Sequence, residues 1–214
     1  LVKPDLIAPG NKIINAMWQN SYLVTTYPYL DAKVAAKTSK KMMYLSGTSV
    51  ASPVVAGAAA LLIERNPSLT PNLVKALLEF TAQPLSGFSN LDQGAGLVNV
   101  EGAVRLAACI TPSLDGLTLG DPLLTGAAPL QMTTIALQSF VWGGGIIQNW
   151  NFVYGVELIT KYQGIYQQGV LLSDGVLLSD GVLLADWTLL TAGAMLSQGT
   201  ILADGTVLAD GTLF

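Results

Sequence analysis

The sequence predicts a mixed chain, helical in its first half and β-structured at its end, and three observations carry that expectation. Val50 to Ile63 is apolar or small almost all round, the pattern of a helix buried inside a domain. Thr70 and Pro71 follow as an N-cap and a first helical residue. From Gly169 the chain turns into a six-residue repeat, the mark of a repeated structural unit.

The first helix opens with Ser46-Gly47-Thr48-Ser49-Val50-Ala51-Ser52-Pro53-Val54-Val55-Ala56-Gly57. Pro53 is tolerable only in a first turn, where its missing N–H has no intrahelical acceptor. The small residues Ala56, Gly57, Ala58 and Ala59 let neighbouring backbones approach closely. Free N–H groups and partial positive charge at such a terminus suit an oxyanion forming beside Ser49. A plain capping role for this serine is the competing reading.

This stretch resembles the nucleophile segment of subtilisin-like serine proteases, the subtilases. Val50 stands where that family usually has Met, and Val54 where it usually has His. Lys3-Pro4-Asp5-Leu6-Ile7-Ala8-Pro9-Gly10 is similar to the family strand and turn that precede the nucleophile. Gly94-Ala95-Gly96-Leu97-Val98-Asn99-Val100, with Glu101 to Ala108 after it, resembles the family's closing strand and last helix. The resemblance covers residues 1–110 and implies an α/β fold, a three-layer sandwich around a mostly parallel sheet, of which these residues would be the C-terminal part.

By the same resemblance Ser49 is the nucleophile of a serine endopeptidase working by acyl transfer, and Thr48 assists the oxyanion. The chain contains no histidine, so it holds no imidazole base to activate that serine. In subtilases the Asp and His motifs and an oxyanion-hole Asn lie upstream of the serine, and only residues 1–48 precede it here. The expected arrangement is therefore a C-terminal portion of a longer precursor, with Asp and His supplied by an upstream fragment. Asn11, Asn15 and Asn20 do not sit in the matching oxyanion segment. Lys40 and Lys41 could suggest a Ser–Lys dyad, but a solvated basic loop accounts for them better. Val50, being β-branched, would narrow the wall beside the nucleophile.

The next helix carries Leu73, Val74, Leu77 and Leu78 as one apolar stripe, with Lys75 and Glu79 outside it; it reads as scaffold without chemistry. Asn11 to Tyr44 reads as an insertion loop whose Trp18, Tyr22, Tyr27, Pro28 and Tyr29 offer a binding surface. Residues 111–168 read as a linker or as short strands, with Trp142-Gly143-Gly144-Gly145 and Asn149-Trp150-Asn151 among them.

Residues 169–214 run GVLLSD, GVLLSD, GVLLAD, WTLLTA, GAMLSQ, GTILAD, GTVLAD and GTLF. Asp-Gly between short apolar runs favours type I′ hairpin turns, giving either an antiparallel meander or a parallel solenoid. Alternating side chains put Val and Leu on opposite faces, so the ribbon needs cover and is expected to mediate self-assembly or binding to a protein partner. Asp174, Asp180, Asp186, Asp204 and Asp210 read as turn residues rather than a calcium ladder, because known calcium rolls use a longer, Gly-richer repeat.

Composition bounds the rest. The chain has 214 residues, is 51% hydrophobic and 11% charged, and carries a net charge of −4. All five acidic residues of 169–214 are unopposed, whereas the remainder is nearly balanced. Such a chain is a poor nucleic-acid binder. No unbroken apolar run is long enough to cross a membrane. With no His and the single Cys109, a transition-metal site is not expected and no cofactor is implied; Cys109 reads as a small buried hydrophobe. The resemblance admits calcium without identifying a site, and implies a protein or peptide substrate and a secreted or cell-surface location. The competing class is a catalytically silent structural or accessory subunit whose repeat joins a filament or larger complex.

Overall fold

The structure, a computed structural model, describes residues 3–18, 20–34, 41–118, 120–148, 151–161 and 166. The hexad repeat and its aspartates, the assembly surface expected there, Lys40, Asn149 and Trp150 lie outside the described residues. Contacts divide the chain into two units, residues 8–58 and residues 1–7 together with 59 onward.

In the 8–58 unit, β1 (Ile13–Ala16) pairs antiparallel with β2 (Met42–Leu45), with Ile13 opposite Leu45 and Ala16 opposite Met42. Helix α1 (Tyr22–Thr26) and a 3₁₀ turn over Pro28–Leu30 lie between them. The aromatic residues of this segment are exposed, Trp18 by 80% and Tyr22 and Tyr29 by 76% each. Tyr27 and Tyr29 stand with ring centroids 6.0 Å apart. Just beyond β2 begins α2 (Thr48–Arg65), within which the division between the units falls.

In the other unit, α3 (Pro71–Phe80) starts where the cap residues place it: the Thr70 hydroxyl accepts the Leu73 N–H at 3.2 Å, and Pro71 follows. Leu73, Ala76, Leu77 and Phe80 are fully buried. A four-residue α4 (Asn90–Gln93) follows, closed by a capping box between Ser89 and Asp92. Leu97 bridges Ile7 in parallel and Gln83 in antiparallel, through Ile7 N–H to Gly96 O at 2.9 Å and reciprocal 2.8 Å bonds with Gln83. Asn99 then caps α5 (Val100–Ala107) by accepting the Gly102 N–H at 3.1 Å. Cys109, just past α5, is half-buried with its thiol 3.5 Å from Arg105 O.

Two hairpins complete this unit: β3 (Met132–Ile135) with β4 (Gln138–Val141), and β5 (Gly145–Gln148) with β6 (Asn151–Tyr154). A short helix α6 (Glu157–Thr160) follows. Trp142, between the hairpins, is 4% exposed and meets Phe80 edge-on at 6.4 Å. Its indole N–H donates to Thr133 Oγ1 at 2.9 Å, and Thr133 in turn donates to Glu101 at 2.7 Å. The Asn99 amide donates to both Thr133 Oγ1 and Thr81 O at 2.9 Å. Arg105 stacks over the indole at 4.9 Å, pairs with Glu101, and donates to Leu130 O and Met132 O. Gly102 is what lets the indole in: a Cβ there would lie 2.9 Å from the Trp142 ring.

Three expectations need correction. The strands described are paired antiparallel in three separate two-stranded sheets; parallel pairing survives among the described residues only as the isolated Ile7–Leu97 bridge. A parallel sheet is assembled from strands joined by long crossovers, whereas β3 and β4 are joined by Ala136 and Leu137 alone. Second, α2 is not buried all round: Ala58 and Leu62 are buried, but Leu61 and Ile63 are exposed by 47% and 48%. Third, Glu79 is not on an outer face of α3 but has no exposure at all. The β5 strand packs on that face of the helix and covers it. Lys75, on the same flank, keeps 21% of its side chain in solvent.

Candidate active site

Ser49 is the second residue of α2, exposed to solvent. The turn before it is fixed by the segment after Pro9. Gly47 N–H donates to Gly10 O at 2.8 Å. The Ser46 hydroxyl donates to Asn11 Oδ1 at 3.0 Å and accepts the Lys12 N–H at 2.8 Å. Gly10 has to be glycine for this contact, since a Cβ there would lie 2.9 Å from Gly47 O and 3.0 Å from the Ala51 Cβ. The result is a backbone clamp that leaves the serine free while holding the peptide under it.

The helix start has the donors its geometry dictates. Gly47 O accepts both Val50 N–H at 3.0 Å and Ala51 N–H at 3.1 Å. Among the described residues, the N–H groups of Thr48 and Ser49 have no acceptor, as the first turn of a helix requires. The Thr48 carbonyl accepts the Ser52 hydroxyl at 3.1 Å, while its side chain faces solvent. Both free N–H groups carry the positive end of an 18-residue helix. They could therefore meet a negative oxygen formed at Ser49.

What the site lacks is equally plain. No histidine exists in the chain, and among the described residues no side chain hydrogen-bonds the Ser49 hydroxyl. Lys41 precedes β2, where its carbonyl accepts Met17 N–H at 3.0 Å, so its backbone is part of the β1–β2 ladder. Among the described residues, no cluster of three or more His, Cys, Asp or Glu side chains gathers to hold a metal. None of their helices is long and apolar enough to cross a membrane.

Of the residues singled out from sequence, Ser49 and Thr48 stand together at the helix start. The bracing residues Gly10, Asn11 and Ser46 had not been singled out for that role. Asn11, which lies outside the matching oxyanion segment, holds Ser46 instead. The only signal for the clamp was the Pro9-Gly10-Asn11 turn, whose partner lies 35 residues away in the chain.

Comparison with known proteins places this geometry. Residues 1–102 match the sequence model of the Subtilase family. Serine protease AprX of Bacillus subtilis (strain 168) is 37% identical over 102 residues, covering 48% of this chain and 22% of that protein. Subtilisin Savinase of Lederbergia lenta is 39% identical over 101 residues, 47% of this chain and 29% of its own length. An Extracellular protease of Xanthomonas campestris pv. campestris is 36% identical over 104 residues, 48% and 16% of the two chains. The chain thus spans less than a third of each of these curated relatives.

Proposed function

Because residues 1–102 are a subtilisin-like protease region of the subtilase family, we propose that Ser49 is the nucleophile of a serine endopeptidase completed by Asp and His from an upstream segment. The observation that carries this reading is the pairing of an exposed serine with two unengaged N–H groups on a clamped helix start.

In the proposed reaction the Ser49 oxygen attacks a peptide carbonyl while an imidazole from outside this chain takes its proton. Negative charge on the carbonyl oxygen meets the Ser49 N–H, with Thr48 as a second donor, where the helix terminus favours it. The same imidazole then returns the proton to the leaving amine, and water releases the acyl group. The partly bare apolar flank of α2, with Leu61 and Ile63 half exposed, supports a further partner surface there. In the complete protein a three-layer sandwich with a mostly parallel sheet would need strands from the upstream segment, to which the parallel Ile7–Leu97 pairing could add. A secreted location is part of the proposal, supported by the relative whose name describes it as extracellular. No cofactor is invoked; calcium, which the resemblance admits, has no site to which it can be assigned.

The second reading, a catalytically silent accessory subunit assembling through 169–214, is favoured by one observation, the absence of any histidine. A fluorophosphonate probe separates the two. With the upstream fragment present, Ser49 should be labelled and Ser49→Ala should not; an unlabelled Ser49 under those conditions would leave only the silent subunit.

A further inference from the structure

Away from Ser49, the most unusual group in the molecule is Glu79. Its carboxylate is buried on α3, and Oε2 accepts the Ile147 N–H of β5 at 2.5 Å. Oε1 is sealed from water with no hydrogen-bond partner among the described residues. The Lys75 ammonium stands 3.8 Å from Oε1, too far for a hydrogen bond, and is drawn the other way by Asp5 at 3.1 Å. Asp5 is itself paired with Lys3 at 2.9 Å. Tyr166, which feels the Glu79 charge, is fully buried, its hydroxyl donating to Leu158 O at 2.5 Å. Beside the Gly144 N–H bond to Phe80 O at 3.0 Å at the entry to β5, the short Ile147 bond to Glu79 ties β5 itself to α3, and it ends on a titratable group.

We propose that Glu79 is a proton-dependent latch, holding the β5–β6 hairpin on α3 while its carboxyl is neutral and loosening it on ionisation. A neutral acid keeps the Ile147 bond and leaves only a neutral O–H without a partner, a far smaller cost than a buried charge. A carboxylate in the same place would be a buried charge with one side unfilled, which is costly unless water or a cation reaches it. Opening the hairpin admits water to Oε1. Burial pushes the Glu79 carboxyl up from 4.5 to about 8, against the attraction of Lys75 and the Ile147 hydrogen bond. Burial and the Glu79 charge also push the Tyr166 hydroxyl up, so it stays protonated and is not the titrating partner.

The sign follows from proton linkage. The closed hairpin keeps a proton that the open one releases between the two pKa values, so raising pH favours opening. Opening should become easier by roughly tenfold per pH unit from about 5 to 8 and level off above that.

Hydrogen exchange of the Ile147 amide in the full chain, corrected for the intrinsic pH dependence of exchange, reads this directly. Protection in the wild type should fall along that slope and then flatten. In Glu79→Gln the side-chain oxygen still accepts the Ile147 N–H but cannot ionise, and the slope should vanish. A slope unchanged in Glu79→Gln, or a wild type without one, overturns the latch. Should the variant not fold, the Glu79 carboxyl carbon resonance of the wild type decides: a titration midpoint near 8 is required, and one in the ordinary carboxylate range overturns the proposal.

Discussion

The start of α2 and the contact between α5 and the hairpins are built on opposite principles. Around Ser49 the side chains are small and exposed, and positioning comes from a backbone bond, Gly47 to Gly10, and a side-chain bond, Ser46 to Asn11. Among the described residues, nothing engages the Ser49 hydroxyl or the two N–H groups. Around Trp142 nearly every polar atom is used, with Thr133, Asn99, Glu101 and Arg105 closing one network about a buried indole. An open set of donors on a fixed backbone suits a reacting centre whose partners arrive later. A closed network suits a scaffold, because a buried polar group left unpaired is costly.

Variants can sharpen or break that contrast. The largest loss of stability is expected from Trp142→Ala, which removes the indole and its hydrogen bond from a packed notch. About 3–5 kcal/mol should disappear from the unfolding free energy in urea denaturation. A cost near zero would mean the hairpins are not part of the scaffold.

Gly10→Ala comes next. Its methyl would press on Gly47 O and Ala51, so a cost of about 1–3 kcal/mol is expected from overpacking. Labelling of Ser49 by the fluorophosphonate probe, with the upstream fragment present, should fall more sharply than stability does. An equal fall in both would show that the clamp only stabilises.

Lys75→Met tests the one flaw in the closed region. Removing the ammonium takes away the attraction that lowers the Glu79 pKa, so ionisation should move to still higher pH. A raised folded-state pKa means stability is fully present below about 4.5 and lost as pH climbs through the folded value. In thermal melts across pH 5–10, the decline should therefore extend further into alkali in the variant. An unshifted profile would detach Lys75 from Glu79.

Ser49→Ala should change least in stability, within about 0.5 kcal/mol, because the side chain is exposed and unpartnered. The same variant should abolish labelling. A markedly destabilised Ser49→Ala would mean that the serine caps the helix rather than serving chemistry.

Much of the local structure was legible before any coordinates. Thr70 and Pro71 start α3, because capping depends on residues within one turn of each other; Asn99, read with the closing strand, instead caps α5 one residue before the expected last helix. Ser49 was legible as a candidate for a similar reason, since it and the helix start lie in one short stretch. The flank assignment of α3 failed at Glu79 because periodicity reports which side of a helix is apolar, not whether a strand almost 70 residues later covers the other side. The two hairpins of 132–154 were equally faint, their strands only four residues long.

The sequence by itself therefore determined the helix starts, the nucleophile candidate and the lack of an imidazole base, all properties of neighbours in the chain or of composition. Tertiary structure alone decided that Asn11 braces Ser46, that Gly102 admits Trp142, and that Glu79 is buried against Ile147. Each of these joins residues far apart in the chain. Such contacts depend on which surfaces meet when the backbone folds, and no pattern within a single element encodes that.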